Sequence, residues 1–188
     1  MKFSNRFVEQ THPLVDNSAF AQFFETTHLN TYRYVMALGR GDAKQAEDIT
    51  AEAYLHAWKQ RQSFTGGPDA ALGWVLTIAR RILIDEYRSK TAHPVQTQLQ
   101  DDLADDDPNT ESVVLTREME EQVIGALQRI PEDQREMVVL RYVLGWRVNQ
   151  IAAHLNLPEN TVSVSIHRAL HRLQDDLALQ GAANERAE

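Results

Sequence analysis

The stretch Ile151-Ala152-Ala153-His154-Leu155-Asn156-Leu157-Pro158-Glu159-Asn160-Thr161-Val162 decides the reading of this chain. Apolar residues at helical spacing lead into Asn156 and Pro158, which break a helix, and a second helical pattern follows to about Leu173. Two short amphipathic helices around a tight turn make a helix-turn-helix. The opening helix, Val148 to Leu155, turns Ile151, Ala152 and Leu155 inward, with Ala152 small where the helices cross. The second helix buries Val162, Ile166, Ala169, Leu170 and Leu173. That leaves Asn160, Thr161, Ser163, Ser165, His167, Arg168 and Arg172 outward, residues that hydrogen-bond base edges and phosphates in a major groove. Use of the motif for packing alone is the competing reading.

Working outward, the charge is unusual for a protein that meets DNA unaided. The 188 residues carry 19 Lys and Arg against 27 Asp and Glu, a net −8. Residues 1–92 are near neutral, with 11 basic and 10 acidic groups. Residues 93–112 hold no basic and 6 acidic groups, and residues 113–188 hold 8 and 11. Two mixed-charge domains joined by an anionic tether fit this distribution. The absence of cysteine excludes disulfides, thiolate metal sites and cysteine nucleophiles. No apolar run is long enough to span a bilayer and no secretory signal is visible, so a soluble cytoplasmic protein is expected.

Glycine and proline fall between segments of helical periodicity, which predicts an all-α fold of two small helical domains. The first helix spans Ser18 to Leu38 with Phe20, Phe23, Phe24, Tyr34, Val35 and Leu38 as its apolar contacts. A second, Ala43 to Gln60, is capped by Asp42 and buries Ala46, Ile49, Ala53 and Ala57; Asp48, Glu52 and Lys59 lie on another face. After a loop from Arg61 to Pro68, a third helix capped by Asp69 buries Ala71, Trp74, Val75, Ile78, Ile82 and Tyr87 and projects Arg80, Arg81, Arg88 and Lys90. The expected division is a domain at 1–92, a flexible acidic linker at 93–111, a four-helix domain at 112–180 and a disordered tail at 181–188. In the second domain a helix through Met119, Val123, Ala126 and Leu127 ends at Ile130. Pro131 opens the next, which stops at Gly145.

Several motifs stand in the order and spacing of one family. Ala46-Glu47-Asp48-Ile49-Thr50-Ala51-Glu52 leads to Trp58, and Trp74-Val75-Leu76-Thr77-Ile78-Ala79-Arg80-Arg81 is followed by Asp85 and Arg88. Leu127, Ile130-Pro131, Arg135-Glu136 and Leu140-Arg141-Tyr142 come next, then Ile151-Ala152, Thr161-Val162 and Arg168-Ala169. Over about residues 18 to 178 the chain resembles a bacterial extracytoplasmic-function (ECF) sigma factor, a promoter-specificity subunit of RNA polymerase. The resemblance implies that Asp48, Glu52, Tyr54, His56 and Lys59 dock on the β′ clamp helices of core polymerase. It implies that Gln62, Ser63, Phe64, Arg80, Arg81 and Arg88 bind the melted −10 element, where an extruded base needs a pocket with apolar walls. Arg147, Asn160, Thr161, Ser163, Ser165, His167, Arg168 and Arg172 would then read the −35 element, with the second domain on the β-flap tip. An anti-sigma factor is a further implied partner, and the acidic linker would enter the polymerase cleft.

The chain departs from the family at Ser163 and Ser165, where lysine and arginine are common, and at Gln150, where glutamate is usual. Each missing phosphate contact lowers affinity and salt dependence, so weak DNA binding by the chain alone is expected. No enzymatic role, cofactor or metal is expected: His167 and His171 lack an acidic third ligand, and Gly66-Gly67-Pro68 lacks the following Lys-Ser/Thr of a phosphate loop. Two other readings are a LuxR-type regulator, which would need strands in the first 90 residues, and a sigma-like adaptor that binds proteins only.

Overall fold

The computed structural model describes Leu14, residues 16–92 and residues 122–184. The chain is all-α: α1 (Asn17–Leu38), α2 (Ala43–Gln60), α3 (Pro68–Ala92), α4 (residues 122–128), α5 (Glu132–Val138), α6 (Val148–Leu155) and α7 (Glu159–Asn184). A 3₁₀ turn, Arg61–Ser63, follows α2, and a π turn, Val139–Val143, follows α5. No strand occurs among the described residues. The expected acidic linker, 93–111, lies outside them.

Local chemistry sets the helix starts. Asp16 and Asp42 accept hydrogen bonds from Ala19 N (2.8 Å) and Gln45 N (2.9 Å), each satisfying an amide left without a partner by the first turn. Gly41, at φ +80°, makes the corner between α1 and α2. The expected Asp69 cap is displaced. Ala70 N donates to Gly67 O (3.0 Å), so Pro68 occupies the first helical position, where its missing N–H costs nothing. Pro131 differs in the opposite sense. At φ −50°, ψ 140° it stands before α5 and its carbonyl accepts from Arg135 N (2.9 Å).

The first half packs α1, α2 and α3 on one another. The α2 stripe of Ala46, Ile49, Ala53 and Ala57 is fully buried, as its spacing predicts. The α3 stripe is rotated from the expected one: Ala71, Val75, Leu76, Ala79 and Leu83 are buried, while Trp74, Ile78, Ile82 and Tyr87 are only half-buried. Small and medium residues let α3 approach its neighbours closely, and the larger rings remain at the margin. In the second half Leu127, Ile130, Met137, Val138, Val139, Leu140, Ile151, Val162, Ile166 and Ala169 form the core, while Val123 is exposed. Met119 lies outside the described residues.

The two halves also touch, and their buried residues form one continuous cluster. Arg135 ties the junction together. Its guanidinium donates to Gln128 Oε1 (2.7 Å), Gln128 O (3.1 Å) and Ile130 O (3.1 Å) within its own half, and to Leu38 O (3.0 Å) at the end of α1. Gln128 Nε2 in turn donates to Gly39 O. These bonds satisfy carbonyls at two helix ends that would otherwise lack partners.

Candidate nucleic-acid and partner interfaces

On α2, Asp48, Glu52 and Lys59 are exposed and His56 stands 3.5 Å from Glu52 as an i,i+4 pair. An exposed pair of this kind adds little stability and leaves its charges available to a partner. Tyr54, expected on the same face, is instead in the core at 3 % exposure, with its Oη 2.7 Å from Thr27 Oγ1 and 3.2 Å from Thr31 Oγ1. Phe20, Phe23 and Phe24 surround its ring. Position 54 follows the buried Ala53, and the threonine pair on α1 satisfies its hydroxyl, so the ring seals α1 against α2. Leu55, half exposed beside Glu52, takes the outward place that Tyr54 leaves. It was legible as an apolar residue off the Ala46/Ile49/Ala53/Ala57 register.

The loop after α2 closes on itself. Phe64 stacks on Trp74 with ring centroids 5.0 Å apart and planes at 28°. A Cβ on Gly66 would lie 2.5 Å from the Phe64 ring, so glycine is what lets the ring fold back. Gln62 and Ser63 remain exposed at the tip, and Arg61 covers Trp58 with its guanidinium 3.5 Å from the ring centroid. Phe64, Trp74, Leu72, Trp146 and His154 line a cleft of about 540 Å³ between the two halves.

Along α3, Arg81 and Arg88 are exposed, and Asp85 lies 3.8 Å from Arg88. Arg80 behaves differently. It reaches across to α5, with Nη2 2.9 Å from Glu132 Oε1 and Nε 3.0 Å from Glu136 Oε2. Tyr34 Oη donates to Glu136 Oε1 at 2.6 Å, and Glu136 is 4 % exposed. Burial pushes the Glu136 carboxyl upward, against the opposing pull of the Tyr34 hydrogen bond and the Arg80 charge. The Tyr34 hydroxyl is raised well above its ordinary value, by burial first and then by Glu136. His154, on α6, is lowered by burial and by Arg80. Its Nδ1 would lie 3.1 Å from a Cβ on Gly73, so that glycine marks where α3 and α6 meet. Sequence reasoning points Arg80 toward DNA and gives Glu136 only a place in a motif; a carboxylate directly before the apolar run Met137–Leu140 is the one signal of its burial.

The helix-turn-helix forms where its sequence places it. Asn156 ends α6 in the left-handed region (φ 53°, ψ 47°), a conformation that asparagine tolerates, and Leu157 N donates to Ala152 O at 2.9 Å. Gln150 Oε1 accepts from Arg147 N (2.8 Å), so the residue standing in place of glutamate still serves the helix start. On α7, Asn160, Thr161, Ser163, His167, Arg168 and Arg172 are exposed and Ser165 is half-buried; Arg147 is exposed before α6. Arg172 also donates to Gln134 Oε1 at 3.1 Å. The His167 and His171 rings meet with their Nε2 atoms 3.3 Å apart. Helix α7 continues to Asn184, beyond Gln180, where a frayed tail was expected; Ala182 and Ala183 are strong helix formers. Ahead of the motif, the π turn leaves Tyr142 60 % and Val143 39 % exposed.

Comparison with known proteins agrees with this geometry. Residues 23–93 match the model of Sigma-70 region 2, and residues 120–173 match that of Sigma-70, region 4. The chain is 31 % identical over 145 residues to the ECF RNA polymerase sigma factor SigL of Mycobacterium tuberculosis, covering 76 % of this chain and 80 % of that protein. It is 28 % identical over 165 residues to SigK of Mycobacterium bovis, covering 86 % and 87 %. Among solved structures, the fold is shared with the sigma factor RpoE in complex with the anti-sigma factor NepR from Bartonella quintana (TM-score 0.61, 21 % identity, 85 % of this chain and 96 % of that one). It is shared also with CnrH in complex with the cytosolic domain of CnrY (TM-score 0.66, 18 % identity, 88 % and 91 %). No helix among the described residues is long and apolar enough to cross a membrane. The chain belongs to the ECF sigma factors of RNA polymerase, which direct promoter-specific initiation of transcription.

Proposed function

We propose that the division of labour within this sigma factor follows its two halves. The first, 1–92, docks on core polymerase through Asp48, Glu52, His56, Lys59 and the half-exposed Leu55, and melts the −10 element with Gln62, Ser63, Phe64, Arg80, Arg81 and Arg88. The second, 112–180, holds the −35 element through Arg147 and the outer face of α7. The observation that carries this reading is the conjunction of an acidic, partly apolar stripe on α2 with a polar outer face on α7. One suits a basic protein surface and the other a groove. The 93–111 segment serves as an anionic tether that can occupy a basic channel. Bond-forming chemistry stays with the polymerase, and the sigma factor works in the bacterial cytoplasm. Control by an anti-sigma factor fits the solved sigma factor RpoE, which shares this fold and is seen in complex with the anti-sigma factor NepR.

The test is reconstitution with bacterial core polymerase and run-off transcription from a cognate promoter. A discrete, sigma-dependent transcript is expected. The double change Asp48→Lys, Glu52→Lys should weaken core binding on the order of tenfold, reversing the charge of the docking stripe. Tight core binding without a transcript would favour the adaptor; no core binding would refute the reading.

A further inference from the structure

We propose that His167 and His171, on the outer face of α7, form a two-histidine clip for one first-row divalent metal ion such as zinc. The bound ion supplies to the −35 backbone the positive charge that Ser163 and Ser165 do not. The DNA step rests on the reading of α7 as the −35 helix; the metal site stands on its own geometry. Spacing alone gives two histidines without a third ligand, and the structure adds the separation of their nitrogens.

The two imidazoles lie one turn apart, both exposed, on a helix that runs unbroken from Glu159 to Asn184. Their ring centroids are 4.4 Å apart with planes at 64°, and the Nε2 atoms stand 3.3 Å from each other. Zinc binds imidazole nitrogen at about 2.0–2.1 Å with tetrahedral angles, which sets two such nitrogens roughly 3.3–3.4 Å apart. The pair is therefore already at the separation that chelation requires. In the free chain one Nε2 donates to the other across this gap. An ion replaces that one weak bond with two coordinate bonds once the donor nitrogen's proton moves to Nδ1. Among the described residues no third His, Cys, Asp or Glu completes a ligand set. A tetrahedral ion thus keeps two open positions. Neutral imidazoles select zinc, nickel or copper over magnesium and calcium, which seek oxygen.

Placement on the helix decides what fills the open positions. The inner side of α7 is buried through Val162, Ile166 and Ala169. At about 100° per residue, His171 lies nearly opposite that side and His167 within about 50° of opposite, in the outward sector of Asn160 and Arg168. A recognition helix meets base edges with its N-terminal residues, so its later turns run beside phosphate. His167 and His171 stand about 9 Å and 15 Å beyond Thr161 along the axis, at about 1.5 Å per residue. An ion there brings a double positive charge to a helix on which Ser163 and Ser165 leave two cations out, and phosphate oxygen can complete its coordination. Arg168 and Arg172 flank the clip and repel the ion. Both are exposed, so water and salt screen that repulsion, and the exposed Asp175, one turn past His171, offsets part of it.

Zinc titrated calorimetrically into the full-length chain should fill a site that both His167→Ala and His171→Ala lack. Both positions are exposed, so neither substitution disturbs the core, and the difference from wild type isolates the pair from the rest of the chain's 7 histidines. Affinity of the full-length chain for a −35 duplex is then measured with and without zinc in about 0.15 M salt. Zinc should tighten wild-type binding about tenfold, the effect of one charged contact, and steepen its dependence on log salt concentration by about 0.9 units. For His171→Ala, affinity should be the same with and without zinc, and magnesium should move neither protein. A zinc site that survives either substitution would overturn the clip. Zinc held by the pair with duplex affinity unchanged or weakened would overturn its role at the backbone. A chain that binds no −35 duplex even with core polymerase would instead retire the reading of α7, while the titration still judges the clip.

Discussion

Helices α3 and α7 both present arginines to the outside of a small helical bundle, yet the free positive charge they offer is limited by different means. On α3 the charge is there and engaged: Arg80 is held between Glu132 and Glu136 from the other half of the chain. On α7 the charge is sparse. Ser163 and the half-buried Ser165 stand at positions where the family carries cations, and Arg168 and Arg172 remain on the outer face. One helix is limited by an occupied site and the other by composition. The difference teaches that a deficit of free positive charge can be written either in the sequence or in the fold, and only the first kind can be counted from residues.

That contrast can be broken at its strongest point first. Arg80→Ala should reduce run-off transcription in the reconstituted holoenzyme by about ten- to a hundredfold, the cost of one charged hydrogen-bonding group at an interface. Activity close to wild type would mean that α3 meets the promoter without Arg80. A smaller effect of the opposite sign is expected on α7. Ser163→Lys with Ser165→Arg should tighten binding to a −35 duplex and steepen its dependence on log salt concentration by about 1.8 units, two added phosphate contacts. An unchanged slope would show that these positions do not face the backbone.

The smallest effect sharpens what holds α3. In the packed chain Glu136 titrates above its ordinary range, mainly through burial, and the groups facing it are Tyr34 from α1, Arg80 from α3, Glu132 on its own helix and His154 from α6 across the shared cleft. A carboxyl raised on packing favours the packed form at low pH, and that contribution is lost as pH rises through the raised value. His154, lowered on packing, acts in the opposite sense, favouring the packed form above its ordinary value. The difference in melting temperature between Glu136→Gln and wild type isolates the first group. It should move in favour of the variant by a few degrees between pH 5 and pH 8. A constant difference would indicate that Glu136 keeps one protonation state throughout.

Much of this architecture is legible in the chain itself, and for identifiable reasons. Val148–Leu155 has the predicted bounds because Asn156 and Pro158 end one helix and begin another by local backbone chemistry. The α2 stripe follows from period alone. The α3 stripe was misread in part because Trp74, Ile78 and Ile82 draw attention by size, whereas close helix approach selects Ala71, Ala79 and the aliphatic residues beside them. Tyr54, which the resemblance implies as a polymerase contact, lies in the core because Thr27 and Thr31, more than twenty residues earlier, satisfy its hydroxyl, a pairing that local sequence does not reveal. The clasp of Tyr34, Arg80 and Glu136 is beyond local reading altogether, since it joins three helices and no periodicity encodes such a meeting.

The most direct test of the account is the equilibrium affinity of the free, full-length chain for a duplex carrying both promoter elements at physiological salt. With Arg80 occupied and α7 short of cations, binding should fall in the micromolar range or weaker, where non-specific association lies, and become specific only when core polymerase is added. Nanomolar, sequence-specific binding by the free chain would contradict it.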